Sequence, residues 1–122
     1  MPNPVVHFEF IGTDGEKTQQ FFADLFGWSI DASNPMKYGL VDPGEGSQER
    51  GIAGGVAGAM QGSGARTVVY VEVQDIDASL AKAQELGGTK LFGPETIMEG
   101  VTLAQFADPD GTVVGLLQAP RD

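Results

Sequence analysis

An α+β fold of two tandem βαβββ modules is predicted by three features of the 122-residue chain. The first is an internal repeat: residues 7 to 30, "HFEFIGTDGEKTQQFFADLFGWSI", lie over residues 68 to 91, "VVYVEVQDIDASLAKAQELGGTKL", at a shift of 61 positions without a gap. The second is punctuation at matching places, with Asp14 and Asp75 ahead of helical spacing and Gly27 and Gly88 behind it. The third is a pair of turn signals, "YGLVDPGEG" and "AQFADPDG", each a short strand followed by proline with its fixed φ and a permissive glycine.

Taken in order, the elements follow from local pattern. The run "VVHFEF" (5–10) alternates as a strand, which puts Val5, His7 and Glu9 on one face and Val6, Phe8 and Phe10 on the other. Asp14 is placed to accept a hydrogen bond from a free N–H at a helix start, and Thr18, Phe22 and Leu25, with Phe21 and Phe26 beside them, form an apolar stripe that would lie on a sheet. Gly27 closes that helix, Trp28 begins the second strand, and "YGLV" and "GIAGGVAGA" (51–59) supply the third and fourth. In the second module Ile76, Leu80, Ala83 and Leu86 make the corresponding stripe and Gly88 the corresponding stop. "TVVGLLQA" (112–119) matches 51–59 at the same shift, which sets Gly54 on Gly115. The segment "QGSGAR" (61–66) has linker composition, so a single domain is expected to divide into modules 4–60 and 67–119.

Composition narrows the function. Seventeen acidic residues against seven basic give a net charge of −10 and a pI near 4.3. Such a surface repels phosphate backbones and anionic head groups, so nucleic acid and membrane partners are set aside. The chain holds no cysteine, hence no disulfide, no thiolate nucleophile and no cysteine-based metal centre. There is neither a basic segment followed by a long apolar one at the start nor a run of about 18 apolar residues elsewhere, and a cytoplasmic protein is expected. The glycines of "GIAGGVAG" do not sit between a strand and a helix as a phosphate loop requires, and no G-x-S-x-G elbow exists.

Chemistry concentrates on the polar face of the first strand. His7 is the only histidine of the chain, and Glu9 shares its face. The matching face of the second module's first strand carries Val68, Tyr70 and Glu72. His7 with Glu9 and Glu72 is a conceivable displaced His-carboxylate site, although side chains two apart on a strand stand about 7 Å from each other and converge on one ion only with distortion.

Two βαβββ modules in tandem, with "FFADLFGW" after the first strand's Asp and "DPDG" before the last strand, resemble the vicinal oxygen chelate superfamily. That superfamily comprises glyoxalase I, the bleomycin and fosfomycin resistance proteins, extradiol dioxygenases and methylmalonyl-CoA epimerase. The opening "HFEF…FGW" is most similar to its lactoylglutathione lyase-related branch. The resemblance spans about residues 4 to 119 and implies a half-open barrel around a cleft, often completed by a second chain. It also implies a divalent metal held by one residue from the first and one from the last strand of each module. Those positions fall on His7, Gly54, Val68 and Gly115, of which only His7 carries a donor.

Two functional readings follow. In the first, the cleft binds a small molecule, apolar or cationic, between His7, Glu9, Trp28, Tyr70 and the floor left by Gly54 and Gly115, with Val68 and Glu72 beside it; no cofactor is expected. In the second, a divalent metal on His7 and nearby carboxylates supports a lyase, isomerase or dioxygenase, or His7 or Glu9 serves as a metal-independent acid–base group. Whether the chain is an enzyme stays open between them. A homodimer is expected in either case, because Phe21 places an aromatic where its repeat mate is Lys82.

Overall fold

The computed structural model describes residues 2–42, 51–59, 64–97 and 100–120. Its elements run β1 (Val5–Gly12), α1 (Gly15–Phe26), β2 (Ile30–Asp31), β3 (Gly39–Val41), β4 (Gly54–Gly58), β5 (Arg66–Glu72), α2 (Ile76–Glu85), β6 (Thr89–Thr96), β7 (Thr102–Ala107) and β8 (Val113–Gln118). This is the α+β order βαβββ, twice. Two compact units divide the chain: His7–Val68, and Met1–Val6 together with Val69–Asp122. The segment ahead of His7 is tied into the latter, where the Glu72 N–H donates to the Pro4 carbonyl at 2.9 Å. Half of the predicted linker, residues 61–63, and the first Asp-Pro turn beyond Asp42 lie outside the described residues. Among the described residues no helix is long and apolar enough to cross a membrane.

In the His7–Val68 unit the strands are ordered β2-β3-β4-β1, with β4 parallel to β1 and antiparallel to β3. Phe8 and Phe10 turn toward α1 and join Phe22, Phe26 and Trp28 in one aromatic cluster, the closest ring pair being Phe10–Phe22 at 4.7 Å. Asp14 caps α1 by accepting from the Lys17 N–H at 3.3 Å. Gly27 closes it at φ 70°, its N–H reaching the Ala23 carbonyl at 2.9 Å, a left-handed cap that glycine adopts without a Cβ clash. The predicted stripe is only half used: Phe22 turns inward, while Phe21, Leu25 and Phe26 remain exposed.

The second unit orders its strands β5-β8-β7-β6. Val73, Ile76, Leu80, Ala104 and Leu116 form its core, with Val71 and Phe106 packed against them. Asp75 caps α2 through the Ala78 N–H, and the Ile76 N–H is taken by the Gln118 side chain at 2.9 Å. The turn after β7 forms as predicted: the Asp108 carboxylate accepts from the N–H groups of Asp110 and Thr112. At the end of α2 the left-handed residue is Gly87, φ 102°, rather than Gly88. Gly88 is needed for a different reason, because a Cβ there would stand 2.9 Å from the carbonyl oxygens of both Ala83 and Ala107.

Register corrects the repeat at the closing strands. β1 pairs with β4 as Phe8↔Gly54 and Glu9↔Gly55, whereas β5 pairs with β8 as Tyr70↔Gly115. Since Tyr70 is the repeat mate of Glu9, the structural mate of Gly115 is Gly55, and the shift between β4 and β8 is 60 rather than 61. A slip of one residue exchanges the faces of a strand. Gly54 therefore lies on the helix-facing side under the Phe8 ring, and the expected cleft position belongs to Gly55.

Leu80 is 4% exposed and Leu86 70%. Leu80→Ala should destabilise the chain by about 2–5 kcal/mol through the cavity it leaves, and Leu86→Ala by no more than about 0.5 kcal/mol, as measured by urea denaturation.

Candidate functional site

One face of the His7–Val68 unit gathers three polar side chains. Alternation along β1 presents His7 and Glu9 there, opposite Phe8 and Phe10. The third is Tyr38, delivered by the connection between β2 and β3. Its hydroxyl stands 3.0 Å from His7 Nε2 and 2.9 Å from Glu9 Oε2. Its ring covers Gly55, where any Cβ would collide with the phenol. Glycine at 55 is what lets Tyr38 lie flat against the sheet.

The loop that carries Tyr38 is braced on both sides. Asn34 grips the Tyr38 backbone twice, donating from Nδ2 to its carbonyl at 2.7 Å and accepting from its N–H at 3.0 Å. Lys37, the residue before, adopts φ 53°, a left-handed conformation unusual for a residue with a side chain. From α1, Gln19 Nε2 donates to the carbonyls of Lys37 at 3.1 Å and Val56 at 2.8 Å, joining helix, loop and β4.

The proton positions follow from counting donors. A phenol has one proton, and Tyr38 gives it to the Glu9 carboxylate. Toward His7 the phenol oxygen must then accept, so His7 carries its proton on Nε2 and donates. The result is a directed chain, His7 Nε2–H to Tyr38 Oη–H to Glu9 Oε2. Glu9 is only 5% exposed, and a buried carboxylate needs such a partner. Burial also lowers the pKa of His7 below its ordinary value, because desolvation disfavours the imidazolium.

The remaining predicted residues are placed differently. Trp28 joins the aromatic cluster on the helix side, 5.5 Å from the Phe8 ring, and so lies on the opposite face from His7. In the other unit Tyr70 is 1% exposed; its ring covers Gly115 and its hydroxyl accepts from Gln105 Nε2 at 2.7 Å. Val68 is equally buried, at 1% exposed. Neither Gly54 nor Gly115 leaves free volume, since Phe8 and Tyr70 fill it. Glu72, half-buried, ends β5. Tyr38 went unrecognised in the sequence because "YGLVDPGEG" signals only a short strand before a turn and lies beyond the ungapped 7–30 match. The signal was latent: once Leu40 is known to pair with Gly55, alternation puts Tyr38 on the face of Glu9.

The donors do not fit the metal site that the resemblance implies. His7 and Glu9 are joined through a phenol, residues 55, 68 and 115 carry no donor atom, and the Tyr38 ring fills the space above Gly55. Among the described residues no group of three His, Cys, Asp or Glu side chains could hold a metal ion.

Comparison with known proteins agrees with this architecture. A family model described as the Glyoxalase/Bleomycin resistance protein/Dioxygenase superfamily matches residues 5–116. A protein named "Putative glyoxylase CFP32", from Mycobacterium bovis and from Mycobacterium tuberculosis, is 31% identical over 113 residues, covering 89% of this chain. The chain spans 43% of the length of those relatives. Among solved structures, a glyoxalase/bleomycin resistance protein/dioxygenase superfamily member from Vibrio splendidus 12B01 aligns with TM-score 0.59 at 21% identity, covering 96% of this chain and 99% of that one. Methylmalonyl-CoA epimerase from Mycobacterium tuberculosis aligns with TM-score 0.62 at 12% identity, covering 96% and 88%. At these identities the structural likeness concerns the fold alone.

With one histidine in the chain, the imidazole can be followed without ambiguity by proton NMR, and its titration midpoint should fall below 6.5. In the unfolded chain the same ring protonates at about its ordinary value. The unfolded state therefore binds more protons between the two midpoints, and the stability tied to His7 is complete above pH 6.5 and lost as pH falls through that interval. Thermal melts of His7→Gln should lack this part of the acid dependence.

Proposed function

This chain belongs to the Glyoxalase/Bleomycin resistance protein/Dioxygenase superfamily, and we propose that it binds a small molecule on the His7–Tyr38–Glu9 face without a resident divalent metal. The observation that carries this reading is Tyr38, whose hydroxyl bonds His7, the one donor at the implied metal positions, together with Glu9, and whose ring rests where a ligand side chain would rise from β4. Tight sites for nickel, zinc or iron rest on several protein N and O donors, and one imidazole competes poorly with hydration of the ion.

The same three groups supply acid–base capacity. A neutral imidazole accepts a proton at Nδ1 and passes its Nε2 proton to the Tyr38 oxygen, as the phenol proton moves to Glu9 Oε2. The balance closes: the bound molecule loses one proton, Glu9 gains one, and His7 and Tyr38 stay neutral, His7 with its proton now on Nδ1. The ligand is an apolar or cationic molecule, toward which a net charge of −10 steers cations. In this reading the protein is cytoplasmic, its modules meet at the 61–66 linker, and it pairs as a homodimer. The exposed apolar residues of α1, among them Leu25 and Phe26, support pairing, since a second copy would remove them from water.

Elemental analysis of freshly purified protein, with calorimetric titration of nickel, zinc, manganese and ferrous ions, tests the metal-free reading. The expected result is substoichiometric metal and weak binding to wild type and His7→Ala alike. Near-equimolar metal in the wild type that disappears in His7→Ala would reverse it in favour of a metal-dependent lyase, isomerase or dioxygenase. Sedimentation should give a dimer mass, and a monomer mass at every concentration would remove the pairing.

A further inference from the structure

Tyr38 reaches His7 and Glu9 from a connection between strands, so its aim depends on how one peptide unit of that connection is held. The unit is the one between Lys37 and Tyr38. A trans peptide is planar, and its C=O and N–H point in opposite directions. Here the C=O, on Lys37, accepts from Gln19 Nε2 at 3.1 Å, and the N–H, on Tyr38, donates to Asn34 Oδ1 at 3.0 Å. With both ends gripped the plane is fixed, and the Cα–Cβ direction of Tyr38 is fixed with it. Lys37 stands at φ 53°, a conformation that a residue with a side chain keeps where its surroundings enforce it.

The two grips differ in what they are anchored to. Asn34 belongs to the same connection as Tyr38 and moves with it. Gln19 belongs to α1, and its amide nitrogen also donates to the Val56 carbonyl of β4 at 2.8 Å. Both partners of the amide are carbonyls, which only accept, so its –NH2 end must face them and each takes one proton. The surroundings leave room for that amide and little else. A Cβ on Gly39 would stand 2.6 Å from Ile30 Cγ2, 2.7 Å from the Val56 oxygen and 2.9 Å from Gln19 Nε2. Gln20, next along α1, is the contrast: its amide turns to Asp24 of its own helix, at 2.8 Å.

We infer that Gln19 is the positioning residue of the His7–Tyr38–Glu9 chain: by tying the 37–38 peptide to α1 and β4, its amide holds the Tyr38 phenol over Gly55, in reach of His7 Nε2 and Glu9 Oε2. The inference rests on the reading of that face as a site that carries protons, and it adds that the site is set from the helix. All the residues involved lie in the His7–Val68 unit. Gln19 touches neither His7 nor Glu9, and its effect is read at the imidazole. A phenol oxygen that accepts at Nε2 favours the tautomer with its proton there, and a displaced phenol withdraws that preference. A substitution that only loosens the fold lowers the melting temperature without changing which ring nitrogen holds the proton.

The test follows the ring nitrogens of the single histidine by 15N NMR on the full chain at about pH 7.5, where the imidazole is neutral. Gln19→Met keeps the length and helix preference of the side chain and removes both donors. It should lower the ratio of the Nε2–H to the Nδ1–H tautomer by about fivefold, the worth of one ordinary hydrogen bond, and weaken the nuclear Overhauser effects between the Tyr38 ring and Gly55. Tyr38→Phe should lower the ratio as far. Gln19→Glu, equal in shape but with two acceptor oxygens against the two carbonyls, should do the same and supplies the answer if the methionine variant folds poorly. Gln20→Met should leave both readouts as in the wild type. Wild-type tautomer and ring contacts in folded Gln19→Met or Gln19→Glu, beside a lowered ratio in Tyr38→Phe, would overturn the role of Gln19 and leave the proton chain standing. An unchanged tautomer in Tyr38→Phe itself would overturn the chain and the inference with it, so the two failures are told apart.

Discussion

The parallel pairing of β1 with β4 decides which side chains meet in the first module. With Glu9 beside Gly55, Tyr38 can lie over the glycine and reach two residues of β1 at once. Moved by one position, the pairing would exchange the surroundings of the Phe8 ring and the Glu9 carboxylate, taking the ring out of its aromatic cluster and setting the carboxylate against α1. Apolar burial resists that exchange, since Phe8 and Phe10 belong to a five-ring cluster with Phe22, Phe26 and Trp28. The polar face is thus held in place by the greasy one.

Each module solves the same local problem with a tyrosine on a glycine. Gly55 receives Tyr38 from a neighbouring loop, and Gly115 receives Tyr70 from the adjacent strand. In the first case the phenol ends on a histidine and a carboxylate; in the second it ends on Gln105, an amide that holds its proton. The first combines an imidazole, a phenol and a carboxylate, groups that can exchange protons.

Much of this was legible in the sequence. Asp14, Asp75 and Gly27 hold the capping places that their residue types suggested, because caps depend on a few neighbouring backbone groups. The alternation of "VVHFEF" placed His7 and Glu9 together for the same reason. Two things were not legible. An ungapped repeat cannot reveal a one-residue offset between β4 and β8, and that offset moved the cleft position from Gly54 to Gly55. Tyr38 depends on a loop clasped by Asn34 and Gln19, contacts made across 4 and 18 residues of chain that no periodicity encodes. Trp28 was misplaced because an aromatic at a strand entry serves a helix-side cluster as readily as a cleft wall.

The central claim is that Tyr38 ties His7 to Glu9, and a double-mutant cycle tests it most directly. Stabilities of the wild type, His7→Leu, Tyr38→Phe and the double variant, measured by urea denaturation at pH 7.5 (~1 pH unit above the ordinary imidazole value), give the coupling between the two side chains. A hydrogen bond through the phenol predicts a coupling of about 0.5–1.5 kcal/mol. Additivity of the two substitutions within about 0.3 kcal/mol would contradict it and leave His7 and Tyr38 as neighbours that share a face without sharing a proton.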